Sequence, residues 1–277
     1  MFEVLRFEFM QNALAAGLLA AIACGIVGTY VVSKRVVFIS GGIAHTSFGG
    51  VGLGYLIGIN PVIGAMIFAV ASALGIGVIT QRTKLTEDTT IGILWAMGMA
   101  VGTIFIGLAP GYTPDLFSYL FGNILTVKSA DLILMIILDA VIIIAVLALF
   151  KEFLSMSFDR EFSAIAGVPV KVLHLLLLCL IALTIVVLIK VVGIILVIAL
   201  LTIPATLARQ FTYDLKKMMG LATLFGILFT YAGLWLSYIL DVPSGATIIL
   251  LSGAVLFAYL GTTKLRSRRK RKATATE

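Results

Sequence analysis

Residues 172–208 read VLHLLLLCLIALTIVVLIKVVGIILVIALLTIPATLA, and Lys190 is the only formal charge among them. A helix of about 20 apolar residues crosses a hydrocarbon layer of roughly 30 Å, so this stretch holds two candidate crossings in series. Working outward, runs of the same kind begin near Asn12, Phe38, Pro61, Thr89, Leu132, Val172, Val192, Met218 and Ala246. The breaks between them are charged or turn-rich: Lys34-Arg35, Asn60-Pro61, QRTKLTEDTT, PGYTPDLF, KEFLSMSFDREF, Lys190, RQFTYDLKK and DVPSG. With 61% hydrophobic and 12% charged residues and a mean hydropathy of +1.17, the chain lacks the polar surface a soluble domain of 277 residues needs. The predicted fold class is an all-α polytopic membrane protein, a bundle of about nine transmembrane helices (8–10). Residues 1–263 form one membrane domain and residues 264–277 a basic tail. Within 117–127 a re-entrant helix is an alternative to loop.

Charge orients the bundle. The net +7 is concentrated in the tail, where seven bases and one acid between Lys264 and Glu277 give +6. With the N-terminus outside, 17 of the 20 basic residues fall on the inner side, leaving Arg6, Lys128 and Lys190 outside. The positive-inside bias therefore places the C-terminus in the cytoplasm and the protein in the plasma (cell) membrane. A basic block beside a span reads as a headgroup-sensing anchor rather than a nucleic-acid arm. The opening residues carry Glu3 and Glu8 with no basic n-region, the pattern of an interfacial segment rather than a cleavable signal. Cys24 and Cys179 sit in apolar spans without CxxC spacing, so neither a disulfide nor a metal framework is expected.

The second span, FISGGIAHTSFGGVGLGYLIG (38–58), is chemically unusual. Six glycines between Gly41 and Gly54 each cost about 1 kcal/mol relative to alanine in a helix interior. They serve either close helix packing or room for a passing solute. His45 lies seven residues past Phe38, about 10 Å into the layer at 1.5 Å per residue. An ionisable ring at that depth faces a cavity or a partner, and imidazole is a ligand for zinc, iron and manganese. The alternative is a ring hydrogen-bonded to a helix carbonyl. Asp139, mid-span among aliphatic residues, either pairs across helices, stays protonated or lines the path. His174 reads as interfacial, Glu87 and Asp88 as helix N-terminal acids, and Pro204 as a kink or unwinding point.

Between the fifth and sixth spans, FDREFSAIAGV (158–168) reads as a short amphipathic helix on the inner side, stopped by Gly167 and Pro169. Phe158, Phe162 and Ile165 form its apolar face, with Asp159, Arg160 and Glu161 exposed. Such a helix is either a passive interfacial element or a knob for another protein.

Four segments, SKRVVFISGGIAHTSFGGVGLG, EDTTIGILWAMGMAVG, FDREFSAIAGV and VVGIILVIALLTIPATLAR, together resemble the permease subunit of ABC importers for zinc, manganese or iron, in order and across essentially the whole chain. The resemblance implies a homodimer bound to two cytoplasmic ATPase subunits and supplied by an extracellular metal-binding protein. It places ATPase coupling at Asp159, Arg160, Glu161, Phe162 and Gly167, and a translocation path at His45, Ser40, Gly41, Thr46, Ser47 and Asp139. His45 is then the transient metal contact, with Ser40, Thr46 or Ser47 as weak oxygen ligands, or a second His45 facing it across a dimer axis. One position departs from the pattern: the family commonly has an aspartate one helical turn before this histidine, and here that residue is Gly41. No GxxxxGK[ST] loop occurs, so the chain is expected to be a transport subunit and no enzyme, with no resident cofactor and with ATP at a partner. A carrier driven by an ion gradient would show paired broken helices and several mid-membrane carboxylates, of which there is one. A permease for a metal chelate needs a larger cavity. An intramembrane metalloprotease would need HExxH, which is absent.

Overall fold

The computed structural model describes residues 6–110, 122 and 124–274, with side chains described as far as Thr263. Eleven α-helices follow one another among these residues. They are α1 (Glu8–Ser33), α2 (Phe38–Ile57), α3 (Pro61–Arg82), α4 (Glu87–Leu108), α5 (Ser129–Ala148), α6 (Phe150–Phe158), α7 (Arg160–Ile165), α8 (Val170–Val192), α9 (Ile194–Arg209), α10 (Leu215–Leu240) and α11 (Ser244–Thr274). Every one of the nine expected spans begins a helix within four residues of its anticipated start. Seven are long and apolar enough to cross a membrane, namely α1, α3, α4, α5, α8, α10 and α11. The other two fall short for different reasons: α9 has only 16 residues, and α2 is diluted by glycine and polar side chains.

Local chemistry sets the helix ends. Asn60 accepts a hydrogen bond from the Val62 N–H ahead of Pro61, Thr86 accepts from Thr89, and Asp214 accepts from Lys217. Gly58, at φ +73°, closes α2 in the left-handed conformation. Of the two effects expected at Pro204, a kink or an unwinding, the unwinding does not occur, because α9 runs unbroken through it. Of the anticipated re-entrant segment, residues 117–121 and 123 lie outside the described residues, and Ile124–Thr126 forms one 3-10 turn. Residues 1–5 and the side chains of the basic tail also lie outside them.

α1 and α8 form the centre, most of each being buried, whereas α4, α5 and α11 expose aliphatic faces including Ile104, Ile133, Ile144 and Leu250. Those outward apolar faces suit lipid contact. The α2–α4 segment is a compact sub-bundle in which α2 packs on both α3 and α4. At the α2–α3 crossing a β-carbon on Gly50 would lie 2.0 Å from the Gly64 carbonyl oxygen, and one on Gly64 would lie 2.1 Å from that of Gly50. On the opposite side a β-carbon on Gly98 would lie 2.6 Å from Thr46 Cα. Backbone-to-backbone contact of this kind offsets the helix cost of the glycines. Close packing therefore accounts for Gly50, Gly64 and Gly98.

The break expected at 151–162 folds differently. Phe153 and Met156 are buried, and they draw Phe150–Phe158 into the separate helix α6. The chain then turns at Asp159, whose carboxylate accepts from the Phe162 N–H at 2.9 Å to cap α7. The apolar face anticipated as one helix is thus split, Phe158 ending α6 and Phe162 and Ile165 lying on α7.

Candidate translocation path and coupling face

His45 makes no hydrogen bond to a helix carbonyl among the described residues. Its ring lies flat against Trp95 of α4, with centroids 4.4 Å apart and planes 8° from parallel. Offset or parallel aromatic contact of this kind is worth about 1 kcal/mol beyond the area it buries. Gly41, one turn earlier, faces the same indole: a β-carbon there would sit 3.4 Å from Trp95 Cζ3 and 3.6 Å from Cη2, with Ile198 Cδ1 of α9 at 3.8 Å. Trp95 thus spans the turn between Gly41 and His45, and it covers the position where a carboxylate would accompany the imidazole. Nothing in the sequence of α4 marks Trp95 for this role, because the contact joins residues 50 apart.

The neighbouring hydroxyls are turned onto their own helix. Ser40 donates to the Val37 carbonyl at 2.7 Å, Thr46 to Gly42 at 2.6 Å and Ser47 to Ala44 at 2.6 Å. Each satisfies itself by back-bonding, the usual solution for a hydroxyl in an apolar helix. Asp139 is buried on α5, and its Oδ2 has no hydrogen-bond partner. α5, which carries Asp139, packs mainly on α1 and α8, whereas α2, which carries His45, packs on α3, α4, α8 and α9. Among the described residues no group of three or more His, Cys, Asp or Glu side chains is placed to hold a metal ion.

At one end of the bundle, α7 and the last residue of α6 present apolar side chains outward. Phe158, Phe162 and Ile165 are 72%, 64% and 86% exposed. Asp159, Arg160 and Glu161 are exposed as well, and Gly167 at φ +83° turns the chain toward Pro169 and α8. The inner side of α7 is pinned by Ser163, which is fully buried, with its Oγ 2.6 Å from both Ser155 Oγ and the Asp159 carbonyl oxygen. The helix is thus pinned on one side and leaves apolar side chains open to contact on the other.

Behind α7 lies a group of charges from separate elements whose meeting no local sequence pattern marks. His174 is buried rather than interfacial, with Nε2 3.3 Å from Glu87 Oε1. Glu87 therefore does more than begin α4, since Thr86 already caps that helix. Lys34, Arg35 and Arg160 share with them a cavity of about 210 Å³. Lys34, in the turn after α1, has its ammonium pushed down to about 8, chiefly by burial and then by the positive charge of Arg160, with Glu87 opposing. On the opposite face Lys190 forms an ion pair with Asp131.

Residues 6–262 match the model of the ABC 3 transport family. The chain is 47% identical over 260 residues to an uncharacterized membrane protein of Synechocystis, covering 94% of this chain and 92% of the relative. It is 39% identical to the manganese transport system membrane protein MntC of Listeria monocytogenes, over 94% of this chain and 93% of that one. Among solved structures it is similar to a chain of PsaBC from Streptococcus pneumoniae in complex with Fab, with a TM-score of 0.81, 33% identity and 92% of each chain covered.

Proposed function

The chain belongs to the ABC 3 transport family, and on that premise we propose that it is the permease subunit of an ATP-driven importer for a divalent transition-metal ion, zinc, manganese or iron. The manganese transport relative supports the metal class, and the likeness to PsaBC supports the permease architecture. The single observation that carries the coupling half is α7, whose pinned inner side and exposed Phe162 and Ile165, beside the exposed Phe158 that ends α6, suit the groove of a cytoplasmic ATPase.

In this reading two copies of the chain pair in the membrane with N-termini outside, and an extracellular binding protein delivers the ion. The ion passes His45, with Ser40, Gly41, Thr46 and Ser47 on the same helix and Asp139 on α5 completing the path. A lone imidazole backed by an indole holds a cation weakly, which favours passage over capture. Closure of the ATPase bears on Asp159, Arg160, Glu161, Phe162 and Gly167 and rocks the spans between outward and inward openings.

The test is co-expression with a cognate ATPase and binding protein, with cellular zinc, manganese and iron measured by mass spectrometry. Wild type is expected to accumulate one metal, and Glu161→Ala and His45→Ala are expected to abolish accumulation at unchanged membrane levels. Loss with Glu161→Ala alone would keep the coupling face and remove His45 from the path. Indifference of all three metals to the wild-type chain would overturn the proposal.

A further inference from the structure

Five charged or titratable residues from four elements meet around the cavity behind α7: Lys34 and Arg35 from the α1–α2 turn, Glu87 from α4, Arg160 from α7 and His174 from α8. One carboxylate thus faces two guanidinium groups, an ammonium and an imidazole. Glu87 is 21% exposed and paired to His174, whose side chain is 5% exposed. The other imidazole nitrogen, Nδ1, is buried with no partner, so Nε2 and its bond to Glu87 alone hold the ring. Arg160 is exposed and lies across the cavity from this pair, on the helix whose outer face is free for a partner.

The cluster also sits at the base of two helices. α2 starts just beyond the Lys34–Arg35 turn, where Arg35 adopts φ +60°, and α4 starts at Glu87. Glu87 to Trp95 is eight residues, about 12 Å of rigid helix, and Phe38 to His45 is about 10 Å. The backbones of α2 and α4 approach closely at Gly98 and Thr46, and the His45–Trp95 stack joins the same two helices, so a displacement at the base of α4 bears directly on the stack.

We propose that Glu87 is a two-position switch, bound to His174 at rest and to Arg160 when α7 is driven inward, and that this exchange transmits ATPase closure to the helices carrying His45 and Trp95. This rests on the permease reading and names the residues that would execute its coupling step. A lone carboxylate with two competing donors supplies the bistable element that a conformational change requires, since each position has its own ion pair. Part-burial keeps either pair from becoming so favourable that it locks. Inward movement of Arg160 also sharpens its repulsion of Lys34, which loosens the turn that begins α2. Arg160 and Glu87 act here as positioning residues, not as groups that touch the cargo.

Two measurements on the full chain assembled with its ATPase test the switch. The first is manganese uptake per ATP hydrolysed in membrane vesicles. Glu87→Gln is expected to lower that ratio about tenfold while hydrolysis stays within about twofold, and Glu87→Asp, which keeps a carboxylate for both partners, is expected to restore most of it. His174→Gln, which keeps an N–H donor toward Glu87, is expected to behave as wild type. The second is cross-linking of Glu87→Cys with Arg160→Cys in a Cys24→Ser, Cys179→Ser background, expected to accelerate about fivefold when a non-hydrolysable ATP analogue closes the ATPase. An unchanged uptake ratio in Glu87→Gln, a Glu87→Asp variant no better than Glu87→Gln, or a cross-linking rate indifferent to nucleotide would each overturn the switch while leaving the permease reading intact. A wild type without ATP-dependent metal uptake would overturn both.

Discussion

α4 carries two polar centres about 12 Å apart that handle polarity in opposite ways. At the upper one, His45 and Trp95 stack face to face, and the flanking hydroxyls of Ser40, Thr46 and Ser47 are spent on their own helix carbonyls. At the lower one, Glu87, His174, Lys34, Arg35 and Arg160 face each other across open space, with one imidazole nitrogen left without a partner. The upper arrangement is closed locally and leaves little to exchange. The lower one is underdetermined, since its single acid has more suitors than it can bind. A rigid helix joining a settled centre to an unsettled one passes motion from the second to the first, because only the second has somewhere to move.

The largest test of that comparison attacks the rigidity. Gly50→Val places a side chain where the Gly64 carbonyl oxygen stands, and unfolding measurements are expected to show a loss of about 3 kcal/mol or more, or no monodisperse protein at all. Gly92→Ala, on the open side of α4 with no atom near its β-carbon, should instead be neutral or stabilising by up to about 1 kcal/mol. Equal damage from both would mean that glycine flexibility, not close approach, is what the sub-bundle uses.

A smaller effect is expected from Trp95→Ala, which removes the ring against which His45 rests. The imidazole carbon-bound proton signals should lose their ring-current shift, and Trp95→Phe should retain part of it. An unmoved imidazole spectrum in Trp95→Ala would contradict a settled upper centre. Ser163→Ala deletes the hydroxyl pair with Ser155 that pins α7, at a cost of about 1 kcal/mol confined to that helix. Hydrogen exchange across 158–168 should quicken, with the amides of α8 unaffected.

The smallest effect is a pH dependence. Lys34 titrates near 8 in the folded protein against an ordinary 10.5, so between those values the unfolded chain binds more protons. Stability contributed through this group therefore rises as pH goes from about 8 toward 10.5, and Lys34→Gln should flatten that part of the melting curve relative to wild type. Identical slopes for the two proteins would show that Lys34 is better solvated than its place in the cavity implies.

The bundle was legible because membrane crossing imposes length and apolarity on each segment separately. Even α2, too glycine-rich to qualify by hydropathy, was visible between the Lys34-Arg35 and Asn60-Pro61 breaks. The helix over Phe150–Phe158 was hidden because Lys151 and Glu152 read as a polar break, while its buried residues, Phe153 and Met156, are only two. The apolar residues of α7 were legible, but its start was not: Asp159, read as an exposed residue inside one helix over 158–168, instead caps α7 by accepting from the Phe162 amide. Glu87 with His174, and His45 with Trp95, were not legible as pairs: each joins residues from separate spans, and a single sequence carries no signal for a tertiary contact. Burial of His174 in particular follows from its partner on α4, which local hydropathy around 174 does not contain.

The indole over Gly41 also bears on the order in which this protein can change. A β-carbon at residue 41 already touches Trp95 Cζ3 at 3.4 Å, so the atoms beyond it in an aspartate must displace the ring or turn away from it. Glycine to aspartate at 41 and tryptophan to a smaller residue at 95 are therefore epistatic. A lineage that shrinks residue 95 first opens the room into which a carboxylate can later arrive, whereas the reverse order passes through a crowded intermediate.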